Sequence, residues 1–433
     1  MKNNSNVLAI IVMYLLFFMI AFVTNLCNPM AVIVKNYFAV SNFAAQLGNA
    51  ANFIAYAVMG IPAGLLLKKI GYRKTAILAI IIGFVGVFLQ YVSGWESVLS
   101  YGVYLTGAFI AGFCMCMLNT VVNPMLNTLG GGGNKGNQLV QFGGVCNSCA
   151  AVLVTIIMGS LIADATKAQL ADATPALMIA LAIFAFAFLV LVFVRIPEPA
   201  MEAEKKAVPA TGKRYSAFSF RHFNLGILAI FLYMGVEVGV PTYVMQFLTT
   251  SPQAATPGLG IDAGIVGMIV AIYWLLMLVG RLVGGTISGK VSSKTQITFV
   301  SSLSIVLVLL GMFLPQSIQI NMPGIDWANL TVMTAQVPVG ILAFILVGLC
   351  TSVMWGGIFN MAVEGLGKYT SIASGAFMTM VCGCGILIPL QGKLADILGD
   401  FMLSYVIVLV CAAYILFYAL VGSKNVNTDI KVD

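Results

Sequence analysis

The stretch Leu118-Asn-Thr-Val-Val-Asn-Pro-Met-Leu-Asn-Thr-Leu-Gly130 ends an apolar run that begins near Tyr101, so it lies at membrane depth. Asn119 and Asn123 are four residues apart and project from one face of a helix. An amide in hydrocarbon is costly unless it forms a hydrogen bond, so such groups normally face a bundle interior or a water-filled cavity. Pro124 leaves a carbonyl group one turn earlier without its donor. We predict a polar helix that lines a central cavity; hydrogen bonding between helices is the alternative.

The composition is that of a helical membrane protein. Charged residues make up 8% of the 433 residues, apolar residues make up 61%, and the mean hydropathy is +1.03. These values exclude a soluble globule and a disordered chain. One span needs about 20 apolar residues, so the chain has room for about a dozen helices. The excess of 21 Lys and Arg over 14 Asp and Glu is then a topology signal and predicts no nucleic-acid partner.

Twelve apolar runs follow one another along the chain. They lie at 7–34, 43–67, 75–94, 100–128, 138–163, 174–195, 220–249, 263–288, 295–314, 336–363, 370–398 and 401–422. A charged segment with three prolines separates the sixth run from the seventh. We therefore predict an all-α membrane protein with an N-terminal six-helix half at 1–196, a cytoplasmic linker at 197–219 and a C-terminal six-helix half at 220–433.

The basic residues predict the orientation of the chain in the bilayer. With both termini in the cytoplasm, Lys35, Lys167 and Lys393 lie near the outer face, and the other Lys and Arg lie at or toward the cytoplasm. The inverted topology reverses this bias, so we reject it. We expect a monomer in a bacterial inner (plasma) membrane, with the lipid bilayer as its surroundings.

Short motifs recur at corresponding positions of the two halves. Gly60-Ile-Pro-Ala-Gly64 leads into Lys68 and Arg73 between the second and third spans, and Gly280-Arg-Leu-Val-Gly284 leads into Lys290 and Lys294 between the eighth and ninth. Duplication of a six-span half, with a site where the halves meet, is typical of transporters. Lys68 and Arg73 lie at cytoplasmic helix ends, and Arg281 lies a turn or more inside the cytoplasmic end of the eighth span. We expect all three to act in gating; anchoring at the membrane face is the equal alternative.

Glu237 is the one acidic residue that lies well inside a span, in Tyr233-Met-Gly-Val-Glu-Val-Gly-Val-Pro-Thr-Tyr243. An isolated carboxylate there costs about 3 kcal/mol on insertion scales, so it must be protonated, paired or hydrated. Intramembrane acids are functional by default. We therefore predict that Glu237 couples transport to an ion, and a hydrogen bond between helices is the alternative.

Uncharged polar and aromatic residues predict the class of substrate. Amides donate and accept, so they match hydroxyl groups without adding net charge, and aromatic faces can cover the C–H face of a sugar ring. A charged substrate would call for Arg clamps or acids. We predict a sugar site built from Asn25, Asn28, Asn119, Asn123, Gln141, Asn147, Tyr273, Trp274, Trp355 and Asn360. For each aromatic residue, packing or interface anchoring is the alternative.

No catalytic or metal-binding pattern is evident. His222 is the single histidine, and the nine cysteines fall in apolar runs, where buried thiols are expected. Gly284-Gly-Thr-Ile-Ser-Gly-Lys290 nearly matches a phosphate loop, but Val291 replaces the required Ser or Thr and no strand precedes it. We expect no enzyme, no metal and no cofactor.

A family resemblance rests on motifs in both halves. Asn25-Leu-Cys-Asn28, Asn119-Thr-Val-Val-Asn-Pro124, Glu237 and Glu364-Gly-Leu-Gly-Lys-Tyr-Thr370 together resemble the fucose permease and glucose–galactose transporter branch of the major facilitator superfamily. The resemblance implies twelve helices in two pseudo-symmetric bundles. Asn28 and Asn119 stand where the family commonly has acids that bind sugar and proton. Asn cannot titrate, so the resemblance does not carry proton coupling over to these two positions.

The resemblance and the residues together predict a secondary active or facilitative transporter. We expect import of a neutral sugar such as fucose, glucose, galactose or a related hexose, by alternating access. Proton coupling, sodium coupling and uniport stay open. Transport of a drug or another metabolite by the same superfamily is the alternative, because many interior Met and Phe could line a greasy pocket.

Overall fold

The computed structural model describes most of the chain, in several continuous ranges. These are residues 2–38, 42–95, 98, 100–161, 170–194, 196–198, 215–261, 263–326, 331–427, 429–430 and 432. The predicted linker, 197–219, lies mostly outside the described residues, and so does Lys167. The side chains of Asn28 and Lys35 are likewise outside the description.

Five long helices build the first part of the chain. They are α1 (Lys2–Tyr37), α2 (Asn42–Val92), α3 (Tyr101–Leu129), α4 (Gly133–Leu161) and α5 (Leu170–Phe193). Helix α2 contains both the second and the third predicted span. Gly71 separates them with φ 84° and ψ 176°, a conformation open to glycine because it has no Cβ.

The second part of the chain contains more and shorter helices. They are α6 (Arg221–Glu237), α7 (Gly239–Thr249), α8 (Ala263–Ser288), α9 (Ser293–Phe313), α10 (Val339–Thr351), α11 (Met354–Val363), α12 (Thr370–Thr379), α13 (Gly383–Leu398), α14 (Phe401–Ser404) and α15 (Val406–Phe417). Short 3₁₀ turns lie at Ala217–Ser219, Gly367–Tyr369 and Met380–Cys382, and a π turn ends the last span at Tyr418–Gly422.

Eleven of the twelve predicted runs coincide with helices that could span a membrane. Within the described residues, ten helical stretches are long and apolar enough to do so, and one of them, Leu47–Val92, holds two runs. The fifth run, 138–163, is helical as far as Leu161 in α4 but is not among these stretches. Four runs are interrupted, which the hydropathy pattern did not predict. The seventh breaks between α6 and α7, the tenth between α10 and α11, the eleventh between α12 and α13, and the twelfth at Tyr405, between α14 and α15.

Among the described residues, one β-hairpin is added to the predicted helical fold. Strands β1 (Gln319–Asp326) and β2 (Thr331–Pro338) pair antiparallel, with Met322 opposite Ala335. Met322, Ala335 and Val337 are buried on one face of the hairpin. The alternation of apolar and polar residues in 319–326 and 331–338 is the strand signal that the search for 20-residue spans passed over.

Contacts divide the chain into two compact units. The first unit is Met1–Phe223, Val363–Cys382 and Asn425–Asp433, and the second is Asn224–Ala362 and Gly383–Lys424. The first unit thus adds α12 and the C-terminal segment to the predicted N-terminal half. The six-helix halves themselves stay a prediction.

Glycines bring α2 and α12 into close contact inside the first unit. A Cβ added to Gly60 would lie 2.6 Å from the backbone nitrogen of Thr379 and 2.7 Å from the carbonyl oxygen of Gly375. A Cβ added to Gly64 would lie 2.8 Å from the carbonyl oxygen of Ser371. These two glycines of the recurring motif thus let α2 and α12 pack backbone against backbone.

Candidate functional site

The polar stretch of α3 faces the interior of the first unit. Asn119 is 8% exposed and Asn123 is fully buried. Nδ2 of Asn119 donates to the hydroxyl of Tyr56 at 2.9 Å and to the carbonyl of Met115 at 3.2 Å. Nδ2 of Asn123 donates to the backbone carbonyl of Asn119 at 2.9 Å. These amides therefore meet the requirement of hydrogen bonding at membrane depth, and Tyr56 joins α2 to α3.

Pro124 leaves a carbonyl group that another helix reaches. Helix α3 continues through Pro124, and the carbonyl of Thr120, one turn earlier, has no backbone donor at that position. The Ser374 hydroxyl of α12 donates to this oxygen at 3.2 Å. The predicted free carbonyl is thus used as a contact between α3 and α12.

The remaining predicted amides of the first unit lie on α1 and α4. Nδ2 of Asn25 donates to the carbonyl of Ala21 on its own helix at 2.8 Å. Gln141 is buried and Asn147 is half-buried. The structure therefore brings Asn119 and Asn123 together, whereas Asn25 bonds within its own helix.

Glu237 forms an ion pair inside the second unit. Its Oε1 lies 3.5 Å from Nη2 of Arg281, and the two side chains are 14% and 10% exposed. The sequence required the carboxylate to be protonated, paired or hydrated, and the structure shows it paired. Glu237 ends α6, and Arg281 lies on α8.

The end of α6 follows from a proline four residues later. Pro241 has no N–H, so the carbonyl of Glu237 lacks its usual helical donor. Val238 forms a turn and Gly239 begins α7. The hydroxyl of Tyr273, on α8, donates to the Glu237 carbonyl at 3.0 Å and occupies the empty position.

The break between α10 and α11 lies at the same cluster. The hydroxyl of Tyr273 is 3.2 Å from Oγ1 of Thr351, the last residue of α10. The hydroxyl of Tyr233, on α6, donates to the backbone carbonyl of Thr351 at 3.3 Å. Two tyrosine hydroxyls thus bond the carbonyl groups at the two helix ends.

Aromatic residues predicted to bind sugar differ in their exposure. The ring of Tyr273 is fully buried, and that of its neighbour Trp274 is 38% exposed. Trp355 is half-buried and packs edge to face on Tyr233, with ring centroids 6.1 Å apart. Asn360 is buried, and its Nδ2 donates to the Ser293 hydroxyl at 2.9 Å.

Arg73, one of the predicted gating residues, binds the end of a neighbouring helix. Its guanidinium donates to the carbonyl of Leu191 at 2.8 Å and to that of Val192, both in the last turn of α5. The carboxylate of Glu198 accepts from the backbone nitrogen of Arg73 at 3.0 Å. A cation at a helix C-terminus is favourable, so these contacts stabilise this end of the first unit. Lys68 is half-buried nearby in sequence.

The second unit thus holds a compact polar cluster: Glu237, Arg281, Tyr233, Tyr273 and Thr351. The sequence analysis named three of these residues but not the roles of Tyr233 and Thr351. Pro241, four residues after Glu237, was the available signal for the helix end. Among the described residues, no group of three or more His, Cys, Asp and Glu could hold a metal ion.

Comparisons with known proteins bear on this arrangement. The model of the Major Facilitator Superfamily matches residues 13–389. The glucose/galactose transporter of Brucella abortus is 29% identical over 95% of this chain and 93% of its own length. The L-fucose-proton symporter of Escherichia coli is 22% identical over 98% of this chain and 95% of its own length. The crystal structure of FucP in the outward conformation has a TM-score of 0.80 at 21% identity, covering 97% of this chain and 100% of that one.

Proposed function

Since this chain belongs to the major facilitator superfamily, we propose that it imports a neutral hexose, such as glucose, galactose or fucose, by alternating access. Its relatives named for glucose and galactose, or for fucose and protons, match it over almost its whole length. Because the superfamily consists of transporters, we also propose that the chain is not an enzyme. The bias of basic residues supports cytoplasmic termini, and the bacterial sources of these relatives support a bacterial inner membrane.

The observation that supports a neutral substrate most strongly is the pairing of Glu237 with Arg281. Each charge of this pair is offset by the other at 3.5 Å, so the polar cluster presents no net charge to a ligand. An anionic or cationic substrate would call for an unpaired charge of opposite sign. Amides and hydroxyls, which dominate the other buried polar positions, match the hydroxyl groups of a sugar.

The proposed sugar ligands are those that the sequence predicted, except Tyr273, whose fully buried hydroxyl already contacts Glu237 and Thr351. They are Asn25, Asn28, Asn119, Asn123, Gln141, Asn147, Trp274, Trp355 and Asn360. Trp355 is the best supported aromatic platform, because it is half-buried and its ring is held by Tyr233. We assign Lys68 and Arg73 to gating at the cytoplasmic face.

We propose Glu237 as the coupling residue and Arg281 as its partner in gating. A proton on Glu237 removes the negative charge that holds the guanidinium, so the pair separates when the proton binds. Sodium held by amide and backbone oxygens is the competing coupling ion, and a uniporter needs neither. Asn28 and Asn119 cannot take up a proton, so they cannot serve this step.

A thermal-shift panel on purified protein tests the substrate class. Glucose, galactose and fucose are compared with glucose 6-phosphate and with a lipophilic cation, each with and without sodium. A bound ligand raises the free energy of unfolding by RT ln(1 + [L]/Kd). A hexose should therefore raise the Tm, and the charged compounds should not. Stabilisation by the lipophilic cation alone would favour the drug-transport alternative.

Uptake into vesicles tests the coupling. Uphill accumulation that a protonophore abolishes, and that sodium removal leaves intact, supports the proton. Glu237→Gln should then retain exchange of sugar across the membrane but lose accumulation. Accumulation that survives this substitution would exclude Glu237 from coupling.

A further inference from the structure

Helix α8 holds Glu237 at two different points. Tyr273 donates to the backbone carbonyl of Glu237 at 3.0 Å, and Arg281 lies 3.5 Å from its carboxylate. Both residues belong to α8 (Ala263–Ser288). The contact with Tyr273 therefore positions the main chain at the end of α6, and the contact with Arg281 positions the Glu237 side chain. Both contacts come from the same helix.

The same tyrosine also reaches the second helix break. Its hydroxyl is 3.2 Å from Oγ1 of Thr351, where α10 ends. A phenol carries one hydrogen and accepts through its lone pairs, so it can donate to Glu237 while it accepts from Thr351. The single hydroxyl hydrogen of Thr351 is shared between two acceptors, the Tyr273 oxygen at 3.2 Å and the Gly348 carbonyl at 3.1 Å. Tyr273 is thus positioned to link the break in the seventh span to the break in the tenth.

Close packing fixes the main chain of α8 at this point. A Cβ added to Gly348 would lie 3.2 Å from the carbonyl carbon of Tyr273, and one added to Gly280 would lie 2.6 Å from Cβ of Ser352. Glycines on both helices therefore let α8 approach α10 and the turn after it. The hydroxyl of Tyr273 reaches Glu237 from a backbone that has little room to move.

The buried hydroxyl of Tyr273 is poorly suited to contact sugar directly. Its ring is fully buried, and its oxygen already contacts a carbonyl and a hydroxyl of the protein. We propose that Tyr273 is a positioning residue, which joins the two helix breaks and thereby holds the Glu237 carboxylate opposite Arg281. Its part in coupling rests on the proposed role of Glu237; its part in joining the breaks does not.

Hydrogen exchange measured by mass spectrometry tests the structural step without any substrate. Tyr273→Phe removes only the hydroxyl. Loss of the bonds made by this hydroxyl should speed exchange about tenfold, both in peptides that cover 236–242 and in peptides that cover 350–356. Tyr405→Phe is the matched control, because Tyr405 is also fully buried and donates to the carbonyl of Val240 at 2.9 Å, within α7. The control should leave 350–356 unchanged.

Two results would overturn this step. One is unchanged exchange at both breaks in Tyr273→Phe, and the other is an equal effect of Tyr405→Phe on 350–356. If Tyr273→Phe does not yield folded protein, Thr351→Val replaces it, because this change removes the second hydroxyl of the link at constant shape. It should speed exchange at both breaks, and unchanged exchange would again contradict the link.

Transport by the same variants tests the functional step. Tyr273→Phe should lower the maximal rate of hexose uptake about tenfold and change the hexose Kd less than about threefold. In a Glu237→Gln background it should have no further effect on the rate, because both changes act through one carboxylate. Additive effects would overturn the positioning role. If the wild-type protein carries no hexose at all, the proposed function fails, and the exchange measurement still decides whether Tyr273 joins the breaks.

Discussion

Removing one partner of the Glu237–Arg281 pair should destabilise the protein, and the two possible removals should differ in their response to pH. The two groups are 3.5 Å apart, and 14% and 10% of their side chains are exposed. Each charge therefore offsets the other in a site that is largely shielded from water. Breaking a buried pair by removing one partner costs about 3–5 kcal/mol. Glu237→Gln and Arg281→Gln should each lower the Tm markedly at neutral pH.

The difference in pH response follows from the chemistry of the group that is left. The guanidinium left by Glu237→Gln cannot lose its proton in a protein, so its penalty should not change with pH. The carboxylate left by Arg281→Gln can become neutral by binding a proton. The free-energy cost of protonation falls by about 1.4 kcal/mol for each unit by which the pH is lowered. Between about pH 7 and about pH 5 the Arg281→Gln penalty should therefore fall by up to about 2.7 kcal/mol.

The assay is thermal unfolding of purified protein at several pH values, with the wild type measured at each pH as the reference. The double variant Glu237→Gln with Arg281→Gln leaves no charge and should recover most of the lost stability. Strictly additive losses in the double variant, or equal pH responses of the two single variants, would refute the claim that the two groups neutralise each other.

Three further predictions concern the packing of the first unit. Gly375→Ala should cost about 1–3 kcal/mol because the new Cβ would lie 2.8 Å from α2 backbone atoms, whereas Gly385→Ala, with nothing within 4 Å, is the unfolding control. Gly367→Ala should cost at least about 1 kcal/mol, because φ is +45° and the C-terminal segment crowds the site; proteolysis of that segment should accelerate. Tyr56→Phe should cost about 1 kcal/mol in thermal unfolding by removing an acceptor of the Asn119 amide, and unchanged stability would contradict that bond.

Hydropathy was sufficient to predict the spans, because the bilayer imposes a length and a polarity on every segment that crosses it. The same physics predicted that Asn119, Asn123 and Glu237 must have partners. It could not predict which partners, because Tyr56 and Arg281 lie far from them in sequence. Such pairs depend on how the helices pack, which local sequence does not encode.

The helix breaks show where a sequence signal existed and was not used. Pro241 follows Glu237 by four residues, and this spacing frees a carbonyl at the end of α6. The break after Thr351 has no proline. There, Oγ1 of Thr351 bonds the carbonyl of Gly348, and Oγ of Ser352 bonds that of Leu349, a pattern that bends helices but also occurs in straight ones.

The β-hairpin was missed for a different reason. A two-stranded hairpin is marginal alone and needs a surface to pack on. Here a Cβ added to Gly324 of β1 would lie 3.2 Å from Cα of Ile265 on α8, so the hairpin lies against that helix. Strand alternation in 319–326 becomes decisive only once this neighbour is known.

Sugar counterflow in proteoliposomes shows whether the protein carries a neutral hexose. Vesicles loaded with unlabelled glucose are given labelled glucose outside, with no ion gradient, and competitors are added outside. We expect saturable exchange that galactose or fucose inhibits and that glucose 6-phosphate and lipophilic cations leave unchanged. Trp355→Ala should weaken the affinity for glucose about tenfold. Exchange of a charged compound with no exchange of any hexose would contradict the proposed hexose transport.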